Sequence, residues 1–281
     1  MGRHGMSKAL TWIIIIAAAV ALAWYWSVQQ DEQALEQVEV LPSQPTSPIP
    51  AEPVIEHPVE RIPRMDPGVT DPGLEEAAEP VEPLPELAES DEEMVAVATG
   101  LAGEGVTDWL VTDQVVSRLV ASIDALDSAR VAQPMRPLTP IPGRFRVLGN
   151  GDEAAISPQN AERYQPYVDL LKGMAPEQVA SLYRRYYPLF QQAYQDQGYP
   201  EGYFNDRLVA IVDHLLGAPE PAGVLEVRQN EAVYEFVDEQ YEQLSAGQKM
   251  MMRLGNDNEQ AVKDWLRQFR DAIAAAPDSA D

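Results

Sequence analysis

Asp206, Arg207, Asp213 and His214 are the residues of this 281-residue chain whose types and spacing come nearest to a catalytic constellation. Two carboxylates, a guanidinium and an imidazole are parts from which a hydrolase can assemble an acid and a base. Asp206 and Asp213 stand seven positions apart, as do Arg207 and His214, so on one helix each pair shares a side. Asp213 and His214 are sequence neighbours and diverge around that helix, which argues against a direct acid–imidazole dyad within it. A second group is cationic and aromatic. Arg184 and Arg185 stand out in an acidic chain and leave two readings open: ion pairs to Asp206 or Asp213 inside the fold, or capture of an anionic partner such as a cell-wall carboxylate. Eight aromatics fall between Tyr183 and Phe204, with Tyr187 and Tyr203 among them. They read either as a groove for a glycan or peptide, or as core, since Tyr183, Tyr186, Phe190 and Tyr194 share a helical face. The candidate binding residues are therefore Arg184, Arg185, Tyr187, Tyr203, Asp206, Arg207, Asp213 and His214, and none is assigned a catalytic role.

Other chemistries are excluded more firmly. With 20 Lys and Arg against 45 Asp and Glu the formal charge is −25, so nucleic acid is not an expected partner. There is no cysteine, which removes disulfides, thiolate metal sites and a cysteine nucleophile. His214 is the one imidazole after residue 90, so a transition-metal site would need carboxylates almost alone; no metal and no cofactor are expected. Gly247-Gln248-Lys249 lacks the earlier glycine and following hydroxyl of a phosphate loop. Zinc-protease, nucleophile-elbow, dinucleotide and calcium-loop spacings are absent.

The elements that must position these residues are mostly helices. Ser90-Asp91-Glu92-Glu93 has the capping-box form and predicts a helix start. Val115, Val116, Leu119, Val120, Ile123 and Leu126 mark an apolar helical stripe, and Pro134, Pro137, Pro140 and Pro142 forbid helix afterwards. Phe145–Leu148 and Ala154–Ile156 read as a small hairpin. Ser157-Pro158 opens a helix bent at Pro166, and Pro176 opens one through Val179, Leu182 and Tyr194 with a kink at Pro188. Asn205 is expected to cap a helix burying Leu208, Ile211, Val212, Leu215 and Leu216. Val224–Val227 and Val233–Phe236 read as paired short strands. Ser245–Leu254 and a last helix from Asn256, striped by Val262, Trp265, Leu266, Phe269 and Ile273, complete the set. The expected fold is mainly α: a multi-helix globular domain with a small β-hairpin over residues 91–281.

The residues before this domain carry an address. Ala9 to Gln30 holds no charge, and the 19 residues from Leu10 to Val28 are nearly pure apolar, long enough at ~1.5 Å per residue to cross a hydrocarbon core. Trp12 near one end and Trp24, Tyr25 and Trp26 near the other are placed for interfacial belts. Arg3 and Lys8 precede the run while Asp31, Glu32, Glu36 and Glu39 follow it, so residues 1–8 are expected in the cytoplasm and the C-terminal bulk outside it. Ala21-Leu22-Ala23 leaves a cleaved signal peptide open as the rival reading, and either one exports the body. Residues 31–90 contain 12 of the 24 prolines, 15 acids, only Arg61 and Arg64 as bases and no aromatic ring, the composition of a disordered acidic spacer.

This layout, with Leu182-Tyr183-Arg184-Arg185-Tyr186-Tyr187-Pro188-Leu189-Phe190-Gln191-Gln192-Ala193-Tyr194, Gly198-Tyr199-Pro200, Phe204-Asn205-Asp206-Arg207-Leu208, Asp213-His214-Leu215-Leu216 and Ser245-Ala246-Gly247-Gln248-Lys249, resembles a bacterial envelope family catalogued as domain of unknown function 3014. The resemblance covers nearly all of residues 84–270 and implies no activity, substrate or catalytic residue. Met250-Met251-Met252 departs from it where more leucine is expected, a tolerated apolar swap. The expectation is a single-pass inner-membrane protein whose periplasmic helical domain binds or scaffolds an envelope protein or cell-wall component. The alternatives are a tethered cell-wall hydrolase using Asp206 or Asp213 with His214, and a head that only self-associates into a homo-oligomer.

Overall fold

The computed structural model describes residues 55–59, 83–130, 136–139, 141, 143–149, 154–230 and 233–274. A single-turn 3-10 helix, Leu87–Glu89, leads into α1 (Asp91–Ala102), and a second, Glu104–Asp108, leads towards α2 (Val115–Asp124). The capping-box expectation is corrected here. Ser90 makes no side-chain cap to α1; its hydroxyl donates back to the Leu87 carbonyl. It is Asp91 that caps, across the fold: its carboxylate accepts the amides of Gln114 and Val115 at 2.7 and 2.8 Å and so satisfies the start of α2. The stripe Val115, Val116, Leu119, Val120 and Ile123 is buried as its period requires.

The segment after α2 crosses the domain, where Leu110 and Leu138 form an isolated bridge. Strands β1 (Val147–Leu148) and β2 (Ala154–Ile156) pair as the expected hairpin. Then come α3 (Gln159–Lys172), α4 (Pro176–Asp196) and α5 (Phe204–Leu216). Helices α3 and α4 run through Pro166 and Pro188 respectively. Strands β3 (Glu226–Asn230) and β4 (Val233–Phe236) follow, then the single turn α6 (Glu239–Glu242), α7 (Ala246–Arg253) and α8 (Asn256–Ala274).

The two β pairs are not separate. Because Ala154 and Ala155 pair with Val227 and Glu226, they form one antiparallel four-stranded sheet in the order β1-β2-β3-β4. The third strand starts at Glu226, two residues later than expected, and its register with β4 runs from Val227↔Phe236 to Asn230↔Val233. The sheet shelters a small core of Ala154, Val227, Phe236 and Met252. The main core is helical. Helix α8 packs against α3, α4 and α5 at once, through Val262, Trp265, Leu266, Phe269 and Ile273, all buried. Close approach explains Gly247, whose added Cβ would lie 2.6 Å from Leu215 Cδ2 and 2.8 Å from the Leu126 carbonyl oxygen.

Part of the stretch expected as spacer is placed against this body. Residues 55–59 lie on α5, and Leu84 and Leu87 pack on the main core. The expected span over residues 9–30, with Trp12, Trp24, Tyr25 and Trp26, lies outside the described residues. Among the described residues no helix is long and apolar enough to cross a membrane.

Candidate functional site

The N-terminal turn of α5 is the centre of the site. Its expected cap, Asn205, does not cap: Asn205 is fully buried inside the helix start, and the amide of Phe204 is accepted instead by Gln191 Oε1 of α4 at 2.9 Å. The same oxygen accepts the Tyr187 hydroxyl at 2.6 Å, and the Gln191 side-chain amide donates to the Gly202 carbonyl at 2.7 Å. Gln191 therefore fixes the entry to α5 and the rim of tyrosines beside it.

Freed from capping, Asn205 and its neighbours hold residues 55–59. Asp206 accepts the amides of Glu56 and His57, at 3.1 and 2.7 Å, one on each carboxylate oxygen. Asn205 Nδ2 donates to the His57 carbonyl at 2.8 Å and to the Ile273 carbonyl of α8 at 3.2 Å. The Tyr203 hydroxyl accepts the Val59 amide at 2.7 Å. Tyr203 packs tilted on Tyr187, with centroids 5.5 Å apart, and Tyr187 packs edge-on to Tyr183 at 5.7 Å. Burial pushes the phenols of Tyr183 and Tyr187 well above their usual range, and the nearby Tyr203 and Asp206 push the same way, so both rings stay neutral. A void of about 10 Å³ bounded by Tyr183, Phe190, Phe204 and Leu208 lies in the core, room for one water at most. The site is thus a ledge that grips chain by its backbone rather than a pocket for a small molecule.

The other predicted residues serve the fold. Arg184 donates to the Ala272 carbonyl at 2.9 Å, satisfying the end of α8, and Arg185 lies over the Tyr186 ring at 5.5 Å. Neither is paired with Asp206 or Asp213, one of the two readings the sequence leaves open. Helix geometry explains this: both arginines sit on α4, whereas Asp213 is taken by Arg270 of α8 through two bonds of 2.8 and 3.0 Å. Arg207 clamps α5 to the turn Ala125–Asp127, bonding Asp124 Oδ1 at 2.6 Å and Asp127 Oδ2 at 2.7 Å. Burial works against its charge, but the hydrogen bonds to Asp127 and Asp124 outweigh it and raise the guanidinium pKa, while Arg207 holds the Asp127 carboxyl below its ordinary value. His214 Nε2 lies 2.7 Å from Ser245 Oγ, the hydroxyl that also caps α7 by accepting the Gln248 amide. Asp206 and Asp213 do share one side of α5 and Arg207 and His214 another, as the seven-residue spacing requires. The acid and base of the hydrolase reading are consequently held apart by different partners.

Sequence reasoning missed Asn205 as a contact and missed the segment it holds. The available signal was Val54-Ile55 with Val59, a brief apolar interval inside the acidic, proline-rich tract. Among the described residues no group of three or more acidic or imidazole side chains is placed to hold a metal ion.

Fold and site together define a mainly helical domain with a small antiparallel sheet that grips a short bent stretch of its own N-terminal chain. The chain belongs to the family described as protein of unknown function (DUF3014), whose family model matches residues 115–270. Tyr203, Asn205 and Asp206 lie inside the matched stretch and residues 55–59 outside it. No curated protein and no solved structure matches the chain.

Proposed function

We propose that this chain is a single-pass inner-membrane protein whose helical domain stands on the periplasmic side as a binding or scaffolding module for an envelope protein or cell-wall component. The observation that carries the binding role is the grip of Tyr203, Asn205 and Asp206 on chain 144 to 150 residues away in sequence. A surface that satisfies the main chain of one segment has the chemistry to satisfy another. Support for the placement comes from the uncharged run Ala9–Gln30 with cationic residues before it and acidic ones after it. The proline-rich tract then supplies reach and effective concentration.

Photocrosslinking in intact cells tests this. Glu201 and Ala210 are exposed beside the grip, and Arg267 is exposed on α8. A photoreactive residue at 201 or 210 should capture one common partner, and one at 267 should not. Tyr203→Ala with Asp206→Ala should abolish that adduct while thermal unfolding stays cooperative. Equal capture from 267, or none from 201 and 210, contradicts the proposal.

A further inference from the structure

We infer that the ledge of Tyr203, Asn205 and Asp206 is a receptor for a short bent peptide segment of a partner protein, and that residues 55–59, which bend at Glu56 and His57, are its built-in competitor. The inference rests on the binding-module reading and gives that module a ligand class. Each of the ledge's hydrogen bonds to the segment goes to a backbone atom: two amides on Asp206, one carbonyl on Asn205 and one amide on Tyr203. Pro58, which has no amide hydrogen, occupies the one position between Glu56 and Val59 from which the ledge takes no donor. Ile55 is 48% exposed, and the side chains of Glu56 and Pro58 are exposed as well. Val59 alone of the five packs on the main core. The recognition rule is therefore free amides at the first, second and fourth positions, an apolar residue at the fourth, and tolerance of proline at the third. A segment of that form that bends at its first two positions, so that both amides meet Asp206, fits.

Two features mark residues 55–59 as an incomplete occupant. Asn205 Oδ1 and the Tyr183 hydroxyl are buried in or behind the ledge with no hydrogen-bond partner. An orphaned buried acceptor and hydroxyl are unfavourable, so a segment that supplies groups to them is held more tightly. The competitor's advantage is connectivity. Only the 23 residues 60–82 separate it from the chain described from residue 83, which gives an effective concentration on the order of 1 mM. A free peptide with an intrinsic Kd of about 0.1 mM then appears roughly tenfold weaker against the intact chain.

The test uses the full chain purified in detergent and a fluorescein-labelled synthetic peptide of residues 53–61, followed by anisotropy. Full chain with residues 55–59 replaced by Gly-Ser-Gly-Ser-Gly should bind it saturably, and the unaltered chain roughly tenfold more weakly. Methylating the His57 amide nitrogen of the peptide should cost at least about tenfold, whereas Glu56→Ala in the peptide should change little. Asp206→Asn in the receptor keeps the shape but offers one acceptor oxygen in place of two, and should weaken binding. No binding at about 1 mM peptide, or equal binding of the methylated peptide, overturns the inference. Sedimentation of the unaltered chain should give a monomer. A dimer that dissociates when residues 55–59 are replaced would place a second copy on the ledge and overturn the foreign-segment assignment. Should the peptide fail while crosslinks from Glu201 and Ala210 persist, the module reading stands and only the ligand class falls.

Discussion

At the scale of single residues, Asp206 and Tyr203 are distinguished by what their side chains hold: they accept the amides of Glu56, His57 and Val59. Tyr203→Phe keeps the ring on Tyr187 and removes the hydroxyl that accepts the Val59 amide and also meets the Tyr187 side chain. It should lower the hydrogen-exchange protection of that amide roughly five- to tenfold, about 1 kcal/mol, and unchanged protection would contradict the assignment. Glu259 is the opposite case, a carboxylate 0% exposed whose oxygens make no hydrogen bond although Lys263 Nζ lies 3.0 Å away. Burial raises its pKa above the ordinary 4.5, with Lys263 opposing. A carboxyl whose folded value exceeds its unfolded value loses stability on ionising, so its cost appears as pH rises above 4.5 through the folded value. Glu259→Gln should therefore gain stability relative to the parent from about pH 4.5 to neutrality, read from urea midpoints. A difference independent of pH contradicts this. The sequence announced Tyr203 and Asp206 as exceptional by type and position. It could not distinguish them from Asp213 and Arg207, because ion pairs to Arg270 and Asp124 depend on helices 57 and 83 residues distant.

At the scale of elements, periodic stripes and the helix starts at Asp91, Pro176, Ser245 and Asn256 were readable, and the groups that cap α2 and α5 were not. Val262 to Ile273 must face inward whatever the tertiary partner, because only one side of α8 is apolar. Those two caps come from distant chain, Asp91 for α2 and Gln191 of α4 for α5, whereas the local cap of α7 by Ser245 holds. Asp91→Ala should cost about 1–2 kcal/mol in urea unfolding, whereas Ser90→Ala, whose hydroxyl only returns to Leu87, should cost less. The reverse order would restore the local capping box. Gly247→Ala should destabilise by about 1–3 kcal/mol, since its Cβ would collide with Leu215 and the Leu126 carbonyl; a neutral result would mean that α7 yields easily. The four-stranded sheet was legible only as two pairs, because the join between Ala154 and Val227 bridges 73 residues through two apolar side chains with no turn signal between them.

At the scale of the whole molecule, the N-terminal tract has a structural role besides spacing. Composition reads residues 31–90 as unable to fold alone, yet the receiving surface supplies the partners that residues 55–59 lack by themselves. The most direct test is amide hydrogen exchange of Glu56, His57 and Val59 in the intact chain, measured beside Asp206→Asn. Slowed exchange at all three amides in the parent, with Glu56 and His57 faster in the variant, is the expected result. Exchange of these amides at unstructured-peptide rates in the parent would contradict the account.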